Sequence, residues 1–107
     1  MSQVAEFFDQ IAGKVDPNKV KGMNAVYQFV ITGEGGGEWA VAIADGAVNV
    51  TPGKAEKSSI TLTIEAGNFL DLIAGKLNGQ TAFLTGKLKI QGDMTLAMKL
   101  QSVFSLG

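Results

Sequence analysis

Residues 75–104 read GKLNGQTAFLTGKLKIQGDMTLAMKLQSVF, and this stretch decides the interpretation of the whole chain. Residues 80–85 predict a short helix, and residues 87–91 predict an edge strand with alternating apolar residues and lysines. Asp93 then predicts the cap of a last helix, because a carboxylate is favoured at the positive end of the helix dipole. This last helix is apolar around most of its circumference, so it is either buried on most sides or closes a cavity.

The rest of the chain adds helices and strands whose order predicts the fold class. Strand patterns occur first in a run and then separated by helices, which favours a mixed sheet with helices over one face. The loop at residues 52–59 is expected to carry the chain across this sheet. No linker interrupts the pattern, so we expect one domain over residues 1–107. The predicted elements before residue 75 are helices at 3–12, 17–21 and 65–74 and strands at 25–32, 38–44, 47–51 and 60–64.

Local signals support several of these boundaries. Ser2 is a candidate N-cap for the first helix, and Gly13 is a candidate for the residue that ends it. Asp45-Gly46 is a strong signal for a two-residue hairpin turn. The glycine-rich residues 33–38 join two strands and include two glutamates, so they predict a hairpin loop and not a phosphate cradle.

Composition excludes several classes of function. The chain has 107 residues, a formal net charge of −1, nine lysines and no arginine, so a nucleic-acid interface is not expected. It has no histidine and no cysteine, which removes Ser-His-Asp and thiolate chemistry and the commonest metal ligands. The acidic residues form no pattern typical of a calcium loop or a carboxylate pair. We therefore expect no enzyme activity, no metal and no cofactor.

The sequence shows no signal peptide and no apolar run of transmembrane length. We therefore expect a soluble, intracellular, cytoplasmic protein. The first helix has an acidic polar face, which argues against a membrane-surface helix.

The last helix leaves two interpretations open from its residues alone. Only Thr95, Lys99 and Ser102 are expected to be firmly exposed to solvent. Met94 and Met98 are flexible side chains that either fill gaps in a core or adapt to varied ligands, and composition alone favours the core. Gln101 either bonds to backbone or marks the polar end of a lipid site.

A resemblance to a known family changes this ranking. Residues 75–101 contain, in order, Gly-Lys-Leu-Asn, Gln-x-Ala-Phe, Gly-Lys-Leu-Lys-Ile and Gly-Asp-Met-x-Leu-Ala-Met-Lys-Leu. This long block resembles the C-terminal half of the sterol carrier protein 2 family, and a looser likeness covers the whole chain. The resemblance implies an α+β fold with a five-stranded mixed, mostly antiparallel sheet, covered on one face by helices, and an apolar tunnel between sheet and helices.

The same resemblance implies non-enzymatic binding and transfer of fatty acids, fatty acyl-CoAs, phospholipids or sterols. It also implies transient membrane contact, and we expect a monomer, with a dimer as the alternative. The competing hypothesis is a protein-interaction or dimerisation module that uses the apolar C-terminal helix. The tunnel-lining residues implied by the resemblance are Phe69, Leu72, Ile73, Phe83, Leu84, Met94, Ala97, Met98, Leu100, Gln101 and Phe104.

The C-terminus departs from the peroxisomal members of that family. Those members end in a targeting tripeptide, whereas this sequence stops at Ser105-Leu106-Gly107. The expectation is a non-peroxisomal protein, or a domain of a larger enzyme that is itself peroxisomal.

Overall fold

The computed structural model describes residues 3–104, apart from the side chains of residues 100, 101, 102 and 104. Every predicted element is present, and the predicted ends differ from the observed ones by two residues at most. The elements, in chain order, are α1 Gln3–Lys14, α2 Pro17–Val20, β1 Asn24–Thr32, β2 Gly37–Ala44, β3 Ala47–Pro52, β4 Ile60–Glu65, α3 Ala66–Ile73, α4 Gly79–Leu84, β5 Leu88–Gly92 and α5 Met94–Phe104.

The end of α1 corrects one prediction. Gly13 was expected to stop the helix, but α1 continues through it to Lys14. The backbone N–H of Val15 still donates to the carbonyl of Ile11 at 3.1 Å, and the Val15 side chain is buried. Burial of this apolar side chain therefore outweighs the local tendency of glycine to end a helix.

The five strands form one sheet in the order β3-β2-β1-β4-β5. Strand β1 pairs with β4 in parallel, and the other three neighbouring pairs are antiparallel. The prediction of a mixed, mostly antiparallel sheet is therefore confirmed. Asp45 and Gly46, with φ of 43° and 86°, form the turn between β2 and β3. Positive φ at both positions is typical of the tight turn that suits twisted antiparallel strands.

The strand register places the large apolar side chains on one face. Tyr27 of β1 lies between Val41 of β2 and Ile60 of β4, and all three are buried. The helices pack on this face. Phe8 of α1 lies at its centre, with ring centroids 4.6 Å from Trp39 and 5.5 Å from Phe69, nearly parallel to both. We call Trp39, Phe8 and Phe69 the aromatic stack.

The opposite face is closed differently, by a loop and a buried amide. The Gln28 side chain is 2% exposed. Its Nε2 donates to the carbonyls of Trp39 at 3.3 Å and Gly53 at 3.1 Å, and its Oε1 accepts from the N–H of Ala55 at 2.7 Å. These bonds hold the loop after β3 as it passes over the sheet to reach β4. The predicted crossing at residues 52–59 is thus confirmed.

Candidate functional site

The start of α5 is fixed against the sheet by a sharp corner. Gly92 ends β5 with φ of 117°, and a Cβ there would lie 2.5 Å from the Ser59 carbonyl oxygen. That same oxygen accepts a hydrogen bond from the N–H of Asp93 at 3.1 Å. The Asp93 carboxylate in turn accepts from the N–H of Thr95 at 2.8 Å, which is the predicted cap. Only glycine allows the close approach that places α5 here.

The inner side of α5 is anchored by Tyr27. Its hydroxyl donates to the Leu96 carbonyl at 2.9 Å, and the residue has no exposed surface. Burial raises the pKa of Tyr27 to about 12, and the negative charge of Asp93 adds to this. At neutral pH the hydroxyl therefore keeps its proton and remains a donor. Farther along α5, Val103 is buried and ties the end of the helix to the core.

Helix α4 lines the same cavity as α5. The Asn78 Oδ1 atom accepts from the N–H groups of Gln80 at 2.8 Å and Thr81 at 3.3 Å, which caps the helix. Ala82 is completely buried and fixes one face of α4 on the core. The next residue, Phe83, is consequently turned away from the core and is 41% exposed.

The two helices and β5 border an apolar groove. The groove has a volume of about 360 Å³ and is half open to solvent. Among the described residues, no ionisable side chain lines it, and Gln80 is the one lining residue with a polar side chain. We call this cavity, lined by Gly79, Gln80, Phe83, Leu88, Ile90, Met94, Ala97 and Met98, the groove.

In the described part of the chain, four large apolar side chains of α4 and α5 are exposed, and three of them line this groove, whereas the fourth, Leu84, follows Phe83 on α4. We call Phe83, Leu84, Met94 and Met98 the rim, and their exposed fractions are 41%, 73%, 50% and 82%. The prediction that only Thr95, Lys99 and Ser102 of α5 are firmly exposed is therefore wrong for the two methionines. The reason is geometric, because one side of α5 packs on β4 and β5 while another borders the open groove.

The structure brings together only some of the residues that the resemblance implied. Phe83, Met94, Ala97 and Met98 line the groove. The others on described elements lie elsewhere: Phe69 and Leu72 are in the buried core, Ile73 is half-buried beside it, and Leu84 is exposed outside the lining. The side chains of Leu100, Gln101 and Phe104 lie outside the described residues. Among the described residues the cavity is a half-open groove at the β5 edge, not an enclosed tunnel.

Sequence reasoning missed the floor and one end of the groove. Leu88 and Ile90 of β5 form part of its lining, and Gly79 and Gln80 belong to the start of α4. The alternation of Leu88 and Ile90 with lysines was visible in the sequence and marked their face as apolar. The predicted edge position of this strand is confirmed, because β5 ends the strand order of the sheet. What the sequence could not show is that the strand would lie directly beside α5.

Other kinds of site find little support in the described part of the chain. Residues 3–104 contain no group of three acidic side chains that could hold a metal ion. Over the same range, no helix combines the length and apolar character that crossing a bilayer requires. Burial raises the pKa of Tyr27, and the hydrogen bond of its hydroxyl to α5 gives this group a structural role.

Comparison with known proteins places these features in context. Residues 5–105 match the family model described as the SCP-2 sterol transfer family. Hydroxysteroid dehydrogenase-like protein 2 of Xenopus tropicalis is 36% identical over 103 residues, which is 95% of this chain and 25% of that protein. Sterol carrier protein 2 of Homo sapiens is 42% identical over 87 residues, covering 78% of this chain and 16% of that protein.

A solved structure shares the fold over nearly its full length. The solution NMR structure of palmitated SCP2L2 from Aedes aegypti superposes with a TM-score of 0.78 at 29% identity, covering 97% of this chain and 95% of that one. The chain spans about a quarter of the hydroxysteroid dehydrogenase-like relatives that it matches. Because residues 5–105 match this family model and the chain shares the architecture of the solved relative, the chain belongs to the SCP-2 sterol transfer family.

Proposed function

We propose that residues 1–107 act as one lipid-binding domain that holds an acyl chain in the groove and transfers it without chemical change. The observation that carries this proposal is the groove itself, which is apolar and half open, and which no ionisable side chain of the described residues lines. Its volume of about 360 Å³ falls within the range of roughly 300–1,000 Å³ that is typical of small-molecule sites. Family membership supports the same class of ligand.

The energetics allow reversible binding. Burying an acyl chain of palmitate length at about 0.8 kcal/mol per CH₂ group gives on the order of 10 kcal/mol before costs. Loss of translational and rotational freedom, and ordering of the rim side chains, reduce this gain substantially. The remaining affinity is in the micromolar to submicromolar range, which suits a carrier that must also release its ligand.

Among the lipids that the family resemblance implied, a single-chain fatty acid or fatty acyl-CoA fits the groove best. A half-open groove can bury one apolar chain while a polar head group stays in water. The palmitated relative from Aedes aegypti supports a fatty acid. Phospholipids and sterols are bulkier, and they would require the groove to widen or to continue beyond the described side chains.

We propose that the groove wall continues along α5. Leu100, Gln101 and Phe104 follow Ala97 at spacings of three, four and seven residues, which places them on the same side of a helix. On this spacing they are wall residues of a longer site. Phe69 and Leu72, in contrast, would act indirectly, because they support α3 from within the core.

We propose no catalytic role for this chain. The sequence lacks histidine and cysteine, which removes the commonest general base at neutral pH and the thiolate nucleophile. The hydroxysteroid dehydrogenase-like relatives are about four times longer than the stretch that matches. Within a protein of that kind, the region corresponding to this chain would hold lipid and leave the chemistry to other segments.

The direct test is to fill the groove with a bulky side chain. Ala97 lines it, so Ala97→Trp is expected to weaken palmitate binding at least about tenfold by occupying the space of the acyl chain. Ala12→Trp, on the exposed side of α1, is the matched control and should leave the affinity for palmitate unchanged. Displacement of a fluorescent fatty acid measures both, with circular dichroism to verify folding. Equal affinities in the two variants, or no palmitate binding by the unaltered protein at millimolar concentration, would reject the proposal.

A second candidate function rests on the rim. Phe83, Met94 and Met98 are exposed along one groove, and this apolar surface also fits a protein interface, including one with a second copy of the chain. Sedimentation without ligand separates the two functions. Concentration-dependent dimerisation that Met98→Ser abolishes would favour an interaction module, whereas a monomer at all concentrations favours the carrier.

A further inference from the structure

Asn78 and Gly79, at the start of α4, form the only Asn-Gly pair in the sequence. Glycine has no Cβ, so the backbone nitrogen of Gly79 is less shielded than the nitrogen that follows any other asparagine. The side-chain amide carbon of Asn78 and this nitrogen are therefore an electrophile and an accessible nucleophile in adjacent residues. Every other asparagine is followed by a residue with a side chain; these asparagines are Asn18, Asn24, Asn49 and Asn68.

The reaction open to this pair is deamidation through a cyclic imide. The Gly79 nitrogen bonds to Cγ of Asn78, the Cγ–Nδ2 bond breaks, and Nδ2 takes up the proton that the Gly79 nitrogen loses and leaves as ammonia. Water then opens the imide ring. Cleavage of the bond from Cγ to the Gly79 nitrogen gives aspartate, whereas cleavage of the bond from the backbone carbonyl carbon to that nitrogen gives isoaspartate. The net change consumes a water molecule, releases ammonia and needs no oxidant or reductant.

The cap of α4 opposes this reaction in the folded protein. Oδ1 of Asn78 accepts hydrogen bonds from the N–H groups of Gln80 at 2.8 Å and Thr81 at 3.3 Å, and the Asn78 backbone is extended, with ψ of 136°. To close the imide ring, the Gly79 nitrogen must turn towards Cγ by rotation about the Cα–C bond of Asn78. Because Gly79 is the first residue of α4, this rotation displaces the first turn of the helix. Asn78 therefore reacts only when that turn opens.

Few contacts hold the first turn of α4 closed. The helix has six residues, and Ala82 is its one buried residue. Gln80 and Thr81 are exposed, and Gly79 is half-buried. Helices of this length are not stable alone and depend on packing, and segments with little buried surface open locally at low free-energy cost. The wall that α4 gives to the groove is thus a segment in which the pair can reach the reactive geometry.

We propose that Asn78 and Gly79 are a site of spontaneous deamidation that the opening of α4 controls, and that isoaspartate formed there disables this wall of the groove. The aspartate product keeps the cap, because a carboxylate accepts from the same N–H groups and is favoured at a helix N-terminus. Isoaspartate routes the main chain through Cβ and Cγ and leaves its carboxylate on Cα, so the cap hydrogen bonds of Gln80 and Thr81 are lost. Gly79 and Gln80, which line the groove, then lose their fixed position.

The consequence for lipid binding rests on the proposed function. A ligand held in the groove packs against Gly79 and Gln80 and therefore favours the closed turn over the open one. With free palmitate at ten times its dissociation constant, deamidation of Asn78 should slow about tenfold, because only the unliganded fraction opens. Empty protein is thus modified faster than protein that carries lipid.

The experiment incubates the whole protein in warm, mildly alkaline buffer, with and without palmitate, and locates isoaspartate by peptide mass spectrometry. Asn18 and Asn49 are internal controls, since both are exposed but precede Lys19 and Val50. Modification at Asn78 should be at least about tenfold faster than at either control, because glycine leaves the attacking nitrogen unshielded. Amide exchange at Gln80 and Thr81 should become faster as isoaspartate accumulates, and palmitate affinity should fall in proportion.

Two variants separate the change of backbone from the change of charge. Asn78→Ser keeps a capping oxygen but has no amide to lose, so its palmitate affinity should survive incubation. Freshly prepared Asn78→Asp adds the negative charge without isoaspartate, and it should bind palmitate as the unaltered protein does.

Three results would overturn the deamidation proposal. They are modification at Asn78 no faster than at the controls, isoaspartate at residue 78 with unchanged exchange at Gln80 and Thr81, and bound palmitate that leaves the rate unaltered. Absence of palmitate binding by fresh protein would reject the proposed function instead. In that case isoaspartate at residue 78 with faster exchange at Gln80 and Thr81 would still support the deamidation site.

Discussion

The region under α1 and α3 and the region under α4 and α5 are both built from large apolar side chains, but only the first is closely packed. Beneath α1 and α3, the aromatic stack places Phe8 between Trp39 and Phe69 at ring-centroid distances of 4.6 and 5.5 Å. Beneath α4 and α5, large apolar side chains border a half-open groove of about 360 Å³. In the first region the apolar surface is buried by packing within the core. In the second region a substantial part of it remains available to another molecule.

The difference follows from what each helix can reach. Helix α1 packs its whole apolar stripe on the sheet, so its burial stabilises the fold fully. The inner side of helix α5 is held by the hydrogen bond from Tyr27 and by burial of its own Val103 side chain. Met94 and Met98, on the same helix, remain exposed to solvent. Substitutions in the first region should therefore change stability, and substitutions in the second should change binding. The following variants test that division.

The largest expected loss of stability comes from Phe8→Ala. This change removes the central ring of the aromatic stack, and a cavity of that size in a packed core costs about 3–5 kcal/mol. Urea unfolding followed by tryptophan fluorescence measures the effect, because the single tryptophan is Trp39. Phe83→Ala is the matched control and should cost about 1 kcal/mol or less, since Phe83 is 41% exposed. Similar losses in the two variants would contradict the division.

Gln28→Met tests the closure of the opposite face. The substitution keeps the side-chain length but removes three hydrogen bonds, each worth about 1 kcal/mol net. We expect a total loss of about 3 kcal/mol and faster amide exchange at Ala55. An effect within 0.5 kcal/mol of zero, which is the range of an ordinary surface change, would mean that the loop is held by other contacts.

Tyr27→Phe tests the anchor of α5. Loss of the bond to the Leu96 carbonyl should lower the free energy of unfolding by about 1–2 kcal/mol at neutral pH. The pKa of Tyr27 is about 12 in the folded protein against 10.0 when unperturbed, so the unfolded chain releases this proton first. The contribution of the hydroxyl is therefore complete below pH 10.0 and is lost as the pH rises towards 12.

The measurement for this pair is the free energy of unfolding of both proteins from pH 8 to 12. The difference between them should shrink above pH 10.0. Because Tyr27 is the only tyrosine, the ultraviolet absorbance of tyrosinate reports its ionisation directly. A Tyr27 titration centred near 10.0 in the folded protein would show that the hydroxyl is not held as described.

Met98→Ser should have the smallest effect on stability. The side chain is 82% exposed, so the expected change is within about 0.5 kcal/mol. Palmitate affinity should nevertheless fall severalfold, because Met98 borders the groove and would cover part of the acyl chain. A clear loss of stability without a change in palmitate affinity would assign Met98 to the core instead.

The sequence predicted the elements well and the site only in part, for a physical reason. Hydrophobic periodicity and caps such as Asn78 and Asp93 are local, and they determine where elements begin and which face is apolar. Whether an apolar face is sealed or open depends on neighbours that are distant in sequence. Phe69 and Met98 are both apolar helix residues, yet one is 1% and the other 82% exposed.

Buried polar contacts were the least predictable features. Nothing in the apolar run AVYQFVIT indicates that Gln28 would bind the loop after β3 or that Tyr27 would bond to α5. Both interactions depend on the crossing connection, which brings together residues 25 to 69 positions apart in sequence. Alternation along a strand shows which side of the sheet a residue faces, but it does not identify the group that its side chain contacts in the folded protein.

The central claim is that the groove between α4, β5 and α5 holds the acyl chain, and methionine methyl NMR tests it most directly. Met94 and Met98 line the groove, whereas Met23 is half-buried outside the lining and serves as an internal control. On titration with palmitate, the methyl signals of Met94 and Met98 should shift with a common saturation curve while Met23 stays in place, and Ala97→Trp should suppress the shifts. Saturable palmitate binding that leaves Met94 and Met98 unmoved would contradict the account.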